Sequence, residues 1–186
     1  GQVKHYRREC CVSVLGTMAA GYLLPTESFT AGLPQEDYWT KMAEAKVIPC
    51  PSGPETVDTF RVYEALEAGC VPIADGATPD GANHRNYWIT LFDGDPPFPI
   101  TSEWERDLPG LTRQIVRRWP QDANECLAWW IGQKRTMALS FAAQVKEVAV
   151  NKIMNDSSPD DLITVVVPTS PVPRHPATDH LEETLA

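Results

Sequence analysis

The sequence predicts an α/β fold built around a parallel βαβ unit. Three observations carry this. Two short apolar runs, Val47-Ile48 and Cys70 to Ala74, read as buried strands. Between them TFRVYEALEA, residues 59–68, reads as a helix that Gly69 stops. A turn, Ser52-Gly53-Pro54, links the first run to that helix, and either Asp58 or Thr59 can cap it. Strand, glycine turn, helix, glycine stop and strand follow one another at the ordinary length of such a unit.

The remaining elements follow in order. Residues 1–23 read as a helix with a basic first half, followed by a strand near Tyr22-Leu23-Leu24 that Pro25 ends. Residues 26–37, TESFTAGLPQED, are rich in turn formers and read as a loop. Asp37 caps a short helix, YWTKMAEA, with Tyr38, Met42 and Ala45 facing inward. The βαβ unit comes next, with its first apolar run, Val47-Ile48, closed by Pro49, Cys50 and Pro51. Gly, Pro and Asp then dominate the stretch after Asp75, which reads as an exposed loop. Tyr87-Trp88-Ile89 is a buried strand or short helix, and Asp93 to Pro99 is another loop. Residues 107–119 form a helix with Leu111, Ile115 and Val116 inward and Arg113, Arg117 and Arg118 outward; Pro120 breaks it. A long helical pattern over 121–154 allows one bent helix or two. Residues 155–161 read as a polar linker, and LITVVV (162–167) as a strand. Thr178 or Asp179 caps a final helix. The expected organisation is one domain over 1–154, a linker over 155–161 and the truncated start of a second domain over 162–186.

The centre of the βαβ unit has the chemistry of an anion site. A helix N-terminus presents unpaired N–H groups and the positive end of the helix dipole. A glycine turn before it lets a phosphate approach the backbone. Arg61 occupies the first turn, where acidic residues are favoured. Glu64 lies one turn on, on the same face. Phe60, Tyr63 and Leu66, with Val62, mark an apolar back. The expected site is the carboxyl edge of the first strand, where open α/β sheets bind ligands. The ordinary alternative for Arg61 and Glu64 is a helix ion pair worth about 0.2–0.5 kcal/mol.

Composition limits the choice of function. The chain has 186 residues, 42% hydrophobic and 22% charged, enough for a domain with a real core. A net charge of −9 argues against a broad basic face for nucleic acid. The five cysteines (10, 11, 50, 70 and 126) include no C-x-x-C and read as reduced thiols packed as small hydrophobes. No run approaches the ~20 apolar residues of a membrane helix. The N-terminus has a basic front and an apolar follow-on, as signal peptides do, but Gly16, Thr17 and Gly21 interrupt it. Asp93-Gly94-Asp95 has the D-x-D form of a metal–diphosphate ligand, yet two prolines follow at once and a plain turn is the better reading. His84 and Arg85, near the same sheet edge, read as surface residues. His5, His175 and His180 lack metal-ligand spacing. Trp129 and Trp130 point to two helix sides, one core and one partly exposed. No metal or other cofactor is expected.

One stretch resembles a known family. FTAGLPQEDYWTKMAEAKVIPCPSGPETVDTFRVYEALEAGCVPI is similar to the donor-binding half of the exostosin-like glycosyltransferases. The resemblance rests on Tyr38; on Cys50, Pro51 and Gly53; and on Asp58, Arg61, Glu64, Ala65, Leu66, Gly69, Cys70 and Pro72, in that order and spacing. It covers roughly residues 26–105. It implies a Rossmann-like parallel sheet flanked by helices, the C-terminal half of a GT-B fold, with a long C-terminal helical segment. It further implies a nucleotide diphosphate sugar donor and a hydroxyl acceptor. Arg61 would pair with the diphosphate and Glu64 would accept from the ribose hydroxyls. Ser52, Gly53 and Thr59 would offer donors to phosphate, with Asp58 beside them. The family often has an arginine where this chain has Ser52, which leaves less positive charge on the phosphates. The tail LITVVVPTSPVPRHP is separately similar to the first strand of family 2 GT-A transferases. The two together imply partners in a longer protein: a preceding GT-B half and a following GT-A domain. The compartment implied is the cytoplasm, or the Golgi lumen for a eukaryotic exostosin-type parent.

Two functions are therefore carried forward. One is a glycosyltransferase domain that binds a nucleotide diphosphate sugar. The other is a non-catalytic scaffold of a multi-domain transferase, with a degenerate donor pocket.

Overall fold

The computed structural model describes residues 5–19, 21–24, 26 and 32–155. The chain divides into two compact units, Gly1–Trp130 and Ile131–Ala186. Helix α1 is Tyr6–Thr17, α2 is Gln35–Glu44, strand β1 is Val47–Cys50, and α3 is Phe60–Glu67. Then come β2 (Val71–Asp75), α4 (Arg85–Leu91), β3 (Ile100–Thr101), α5 (Trp104–Arg118) and α6 (Gln121–Asn155). The fold is α/β: a small parallel sheet in the order β1-β2-β3, flanked by helices, with a long helix at the C-terminal end of the described chain.

The predicted βαβ unit is present. Val47 pairs with Val71 and Cys50 with Ala74, in parallel register. Every residue of β2 is buried, as expected of a central parallel strand covered on both faces. Helix α3 packs on β1 and β2, and α5 packs on the sheet and on α1. At the end of α3, the Cys70 amide donates to Ala65 O and the Gly69 amide to Leu66 O. This is a Schellman stop, and Gly69 takes the positive φ (74°) that it requires.

Several expectations are corrected. Phe60 does not belong to the apolar back of α3. It is 83% exposed, and Val62, Ala65 and Leu66 are the buried residues. A spacing of three and four residues from Val62 defines the inward stripe, and Phe60 falls outside it. Residues 22–24 form no strand; they are exposed and irregular, and no described strand offers them a ladder. β1 extends past Ile48 through Pro49 to Cys50 and ends before Pro51; a proline is tolerated on an edge strand. β3 was not foreseen, because two residues carry no readable alternation. Helix α5 begins three residues before Asp107, at Trp104. Trp104, Leu108 and Ile115 are its buried residues, while Val116, one step round the helix from Ile115, is exposed. Residues 121–155 form one continuous helix, so Asn155 belongs to α6 and not to a linker. The strand expected at 162–167 and the final helix lie outside the described residues.

The core of the first unit joins the sheet to an aromatic cluster. Trp88, Phe92, Phe98, Trp129 and Trp130 meet ring to ring, with Phe92 and Trp129 centroids 4.8 Å apart. Trp130 is buried and its Nε1 donates to Glu67 Oε1 at 2.8 Å; Trp129 is partly exposed, as the sequence predicted. All five cysteines are free and buried. Burial pushes the thiols of Cys11 and Cys126 up to about 12 and that of Cys70 to about 11, so they act as packing groups. In the second unit, α6 carries exposed Met137, Leu139, Phe141, Val148 and Val150. Among the described residues no helix is long and apolar enough to cross a membrane.

Candidate functional site

The carboxyl ends of the three strands meet in a polar cluster centred on Asp75, the last residue of β2. Asp75 is completely buried. Arg7 of α1 reaches it with Nη2 at 2.5 Å from Oδ1 and Nε at 3.3 Å from Oδ2. The Ala77 amide donates to Oδ1 at 3.1 Å. The Ser52 amide and Trp104 Nε1 donate to Oδ2, each at 3.0 Å. Arg7 Nη1 also donates to Ser102 O at 2.7 Å. One carboxylate thus ties together the loop after β1, the end of β2, the start of α5 and the first turn of α1. Its charge is matched by a bidentate cation and three neutral donors, the condition for a buried ion pair to be tolerated.

Beside this hub lies α3. Its N-cap is Thr59, whose hydroxyl accepts from the Arg61 amide at 3.5 Å. Arg61 and Glu64 point to one side and are 3.5 Å apart. Tyr38 of α2 joins them. Its hydroxyl donates to Glu64 Oε2 at 2.6 Å and accepts from Arg61 Nη1, and the guanidinium lies over its ring, 5.1 Å from the centroid. The side chains of Arg61 and Glu64 remain 40% and 33% exposed, so the pair is open to solvent but held by a neighbour.

The structure brings together only some of the predicted site residues. Arg61, Glu64 and Thr59 share the start of α3. Ser52 is adjacent through the loop: a Cβ on Gly53 would lie 3.3 Å from Thr56 O and 3.4 Å from Asp58 O. The Gly53 amide donates to Thr56 O at 2.9 Å and the Ser52 amide to Asp75. Both backbone donors expected to face phosphate are therefore engaged within the protein. Asp58 turns toward the aromatic side, where Tyr63 Oη donates to Oδ1 at 3.0 Å and the Tyr87 hydroxyl also reaches it. Burial first, and then Asp58, raise both phenols, Tyr87 to about 12. His84 is exposed at the N-cap of α4. Asp93-Gly94-Asp95 forms an exposed turn with positive φ at Asp93 and Gly94. Among the described residues no cluster of His, Cys, Asp and Glu could hold a metal ion.

Four contributors escaped the sequence reading: His5, Arg7, Arg8 and Asp75. The available signals were an acidic residue closing the second apolar run and a basic first turn on the first helix. The Ser52 hydroxyl is fully buried and has no hydrogen-bond partner. Both ring nitrogens of His5 are likewise buried and without a partner. Burial and then the charge of Arg8 lower the His5 pKa; the nearby Ser52 backbone and Asp75 oppose this, without a hydrogen bond forming. Arg8 is itself pushed down, by burial and then by the charge of Arg61. At the opposite end of the sheet, Val71, Pro99, Ile115 and Arg118 line a separate cleft of about 280 Å³.

Fold and site define an α/β domain with a charged cluster at the carboxyl edge of its parallel sheet. Searched against family models, curated proteins and solved structures, the chain matches none of them.

Proposed function

We propose that this chain carries the donor-binding site of a GT-B glycosyltransferase and binds a nucleotide diphosphate sugar at the start of α3. The observation that carries this reading is the Tyr38–Arg61–Glu64 group, half-open to solvent at the carboxyl edge of β1. Arg61 supplies a fixed cation for the diphosphate, and the start of α3 adds its dipole. Glu64 is an acceptor for ribose hydroxyls, and its contact with Tyr38 holds the carboxylate in place. In the reaction, an acceptor hydroxyl displaces the nucleoside diphosphate from the sugar, and these groups stabilise the leaving charge. The general base belongs to the preceding half of such an enzyme, so this chain alone binds donor weakly and turns nothing over.

Calorimetry with UDP, GDP, ADP and CDP tests this. At least one is expected to bind, with affinity falling at least tenfold in Arg61→Ala. Glu64→Ala is expected to erase the preference for the ribonucleotide over its 2′,3′-dideoxy counterpart. No heat from any of the four refutes the reading. The engaged amides of Ser52 and Gly53 favour the second reading, a scaffold domain that keeps the fold without the ligand. That reading predicts the null result.

A further inference from the structure

The outer face of α3 carries a side chain that packing does not account for. Phe60, the first residue of the helix, is 83% exposed, more than any other large hydrophobic side chain among the described residues. A single exposed aromatic is ordinary on a protein surface. Phe60 is set apart by its neighbours. Successive helix positions lie about 100° apart around the axis. Glu64 therefore stands about 40° from Phe60 and about 60° from Arg61, between the two on one face. Residues one turn apart on such a face have Cβ atoms about 5–6 Å from each other. Thr59 caps the helix and accepts from the Arg61 amide, so the turn that carries Phe60 and Arg61 starts at a fixed point.

Phe60 is also the aromatic side chain of this face that has a ring to offer. Tyr38 stands at the same site, but the Arg61 guanidinium lies over its ring, and Trp39 meets it edge-on with centroids 5.8 Å apart. Among the described residues no ring or cation packs on Phe60, and the inward stripe of α3 is made by Val62, Ala65 and Leu66. A nucleotide runs in the order phosphate, ribose, base. Arg61 and Glu64 are the groups for the first two, and Phe60 is the next group round the helix. Every base presents a flat π-face, and an exposed phenyl ring can stack on it without an enclosing wall.

We propose that Phe60 is the platform on which the nucleobase stacks, so that Arg61, Glu64 and Phe60 receive diphosphate, ribose and base in the order in which the nucleotide presents them. The inference rests on the donor reading and adds the base subsite to it. Stacking ignores the hydrogen-bonding edge of the base. Phe60 therefore gives affinity for any nucleoside diphosphate, and it separates a nucleotide from inorganic pyrophosphate.

The test is titration calorimetry of the whole chain with UDP, GDP, ADP and CDP and with inorganic pyrophosphate, in wild type, Phe60→Ala, Phe60→Tyr and Arg61→Gln. At least one nucleoside diphosphate is expected to bind more tightly than pyrophosphate. Phe60→Ala should weaken that nucleotide about tenfold, the loss of one base–aromatic stack, and leave pyrophosphate within twofold. Phe60→Tyr keeps the ring and should bind both ligands within twofold of wild type. Arg61→Gln should weaken both. Phe60 contributes almost no buried surface, so the melting temperature of its variants should stay at the wild-type value. If a nucleoside diphosphate binds with Arg61 dependence and Phe60→Ala binds it as wild type does, the platform is wrong and the donor reading stands. If it binds with Phe60 dependence while Arg61→Gln binds it as wild type does, the donor reading loses its diphosphate group and the platform survives. If Phe60→Ala weakens pyrophosphate as much as the nucleotide, Phe60 acts on the helix and not on a base, and the platform falls. If no nucleoside diphosphate gives heat, both fail.

Discussion

The carboxyl edge of the sheet holds two arginine–carboxylate pairs that differ in almost every physical respect. Arg7–Asp75 joins residues far apart in sequence, with side chains 10% and 0% exposed and carboxylate contacts of 2.5–3.3 Å. Arg61–Glu64 joins neighbours on one helix, at 3.5 Å, with side chains 40% and 33% exposed. The first pair is closed: removing either partner leaves a buried charge with no water to solvate it. The second pair is open, and solvent screens whatever the two charges gain from each other. A site for an anion needs an arginine that is still accessible to a ligand, held in place by something else. Tyr38 does that holding for Arg61, and Asp75 does it for the whole edge by fixing α1 and the Ser52 loop.

The contrast is broken most forcefully at Asp75. Asp75→Ala strips Arg7 of its counter-ion and leaves the Ser52 and Ala77 amides and the Trp104 indole without an acceptor. The expected loss is about 3–5 kcal/mol, read from urea or guanidinium unfolding. A loss below 1 kcal/mol would show that water reaches the pair and that it is not the closure of this edge.

Trp104→Phe removes one donor to Asp75 Oδ2 and keeps most of the ring. Hydrogen bonds to charged groups contribute about 1.5–3 kcal/mol, so the loss should fall in that range and below that of Asp75→Ala. The two effects should not add in the double variant, because both act through one carboxylate. Additivity would mean that Trp104 stabilises α5 by packing alone.

How much of this was legible beforehand depended on the range of each interaction. The βαβ unit was readable because its signals are local: an apolar run, a glycine turn, a capped helix, a glycine stop. Thr59, Arg61 and Glu64 were readable for the same reason, being one turn of one helix. Asp75 was visible only as an acidic residue ending a strand. Its partner Arg7 lies 68 positions away in sequence, and nothing in the spacing joins them. β3 was too short to show a period. Phe60 was misread because the helix face was set from aromatic residues instead of from Val62, Ala65 and Leu66. Ser52 was readable as part of the turn after the first strand, but its amide donates to Asp75 while its hydroxyl has no partner, and only coordinates separate the two.

Acid should distinguish the edge from the rest of the fold more gently. The folded-state pKa of His5 is lowered from its ordinary 6.5, by burial first and by Arg8 second. The unfolded chain therefore takes up a proton at a pH where the folded chain does not. The associated stability is complete above the unfolded value and is lost as pH falls through it toward the folded value. Between pH 7.5 and 5.5, wild type should lose more unfolding free energy than His5→Gln. Parallel losses in the two proteins would remove His5 from the acid response.

The smallest effect on stability should come from Arg61, the residue to which the donor reading assigns the diphosphate. Arg61→Ala deletes a half-exposed i,i+3 pair and its contact with Tyr38, and surface pairs of this kind contribute 0–1 kcal/mol after screening. The melting temperature should barely move, while diphosphate binding falls at least tenfold. This sets Arg61 against Asp75 directly: one variant keeps the fold and loses the ligand, and the other loses the fold itself. A large drop in stability for Arg61→Ala, with no change in ligand affinity, would make the open pair a structural clamp between α2 and α3 and reverse the assignment of roles.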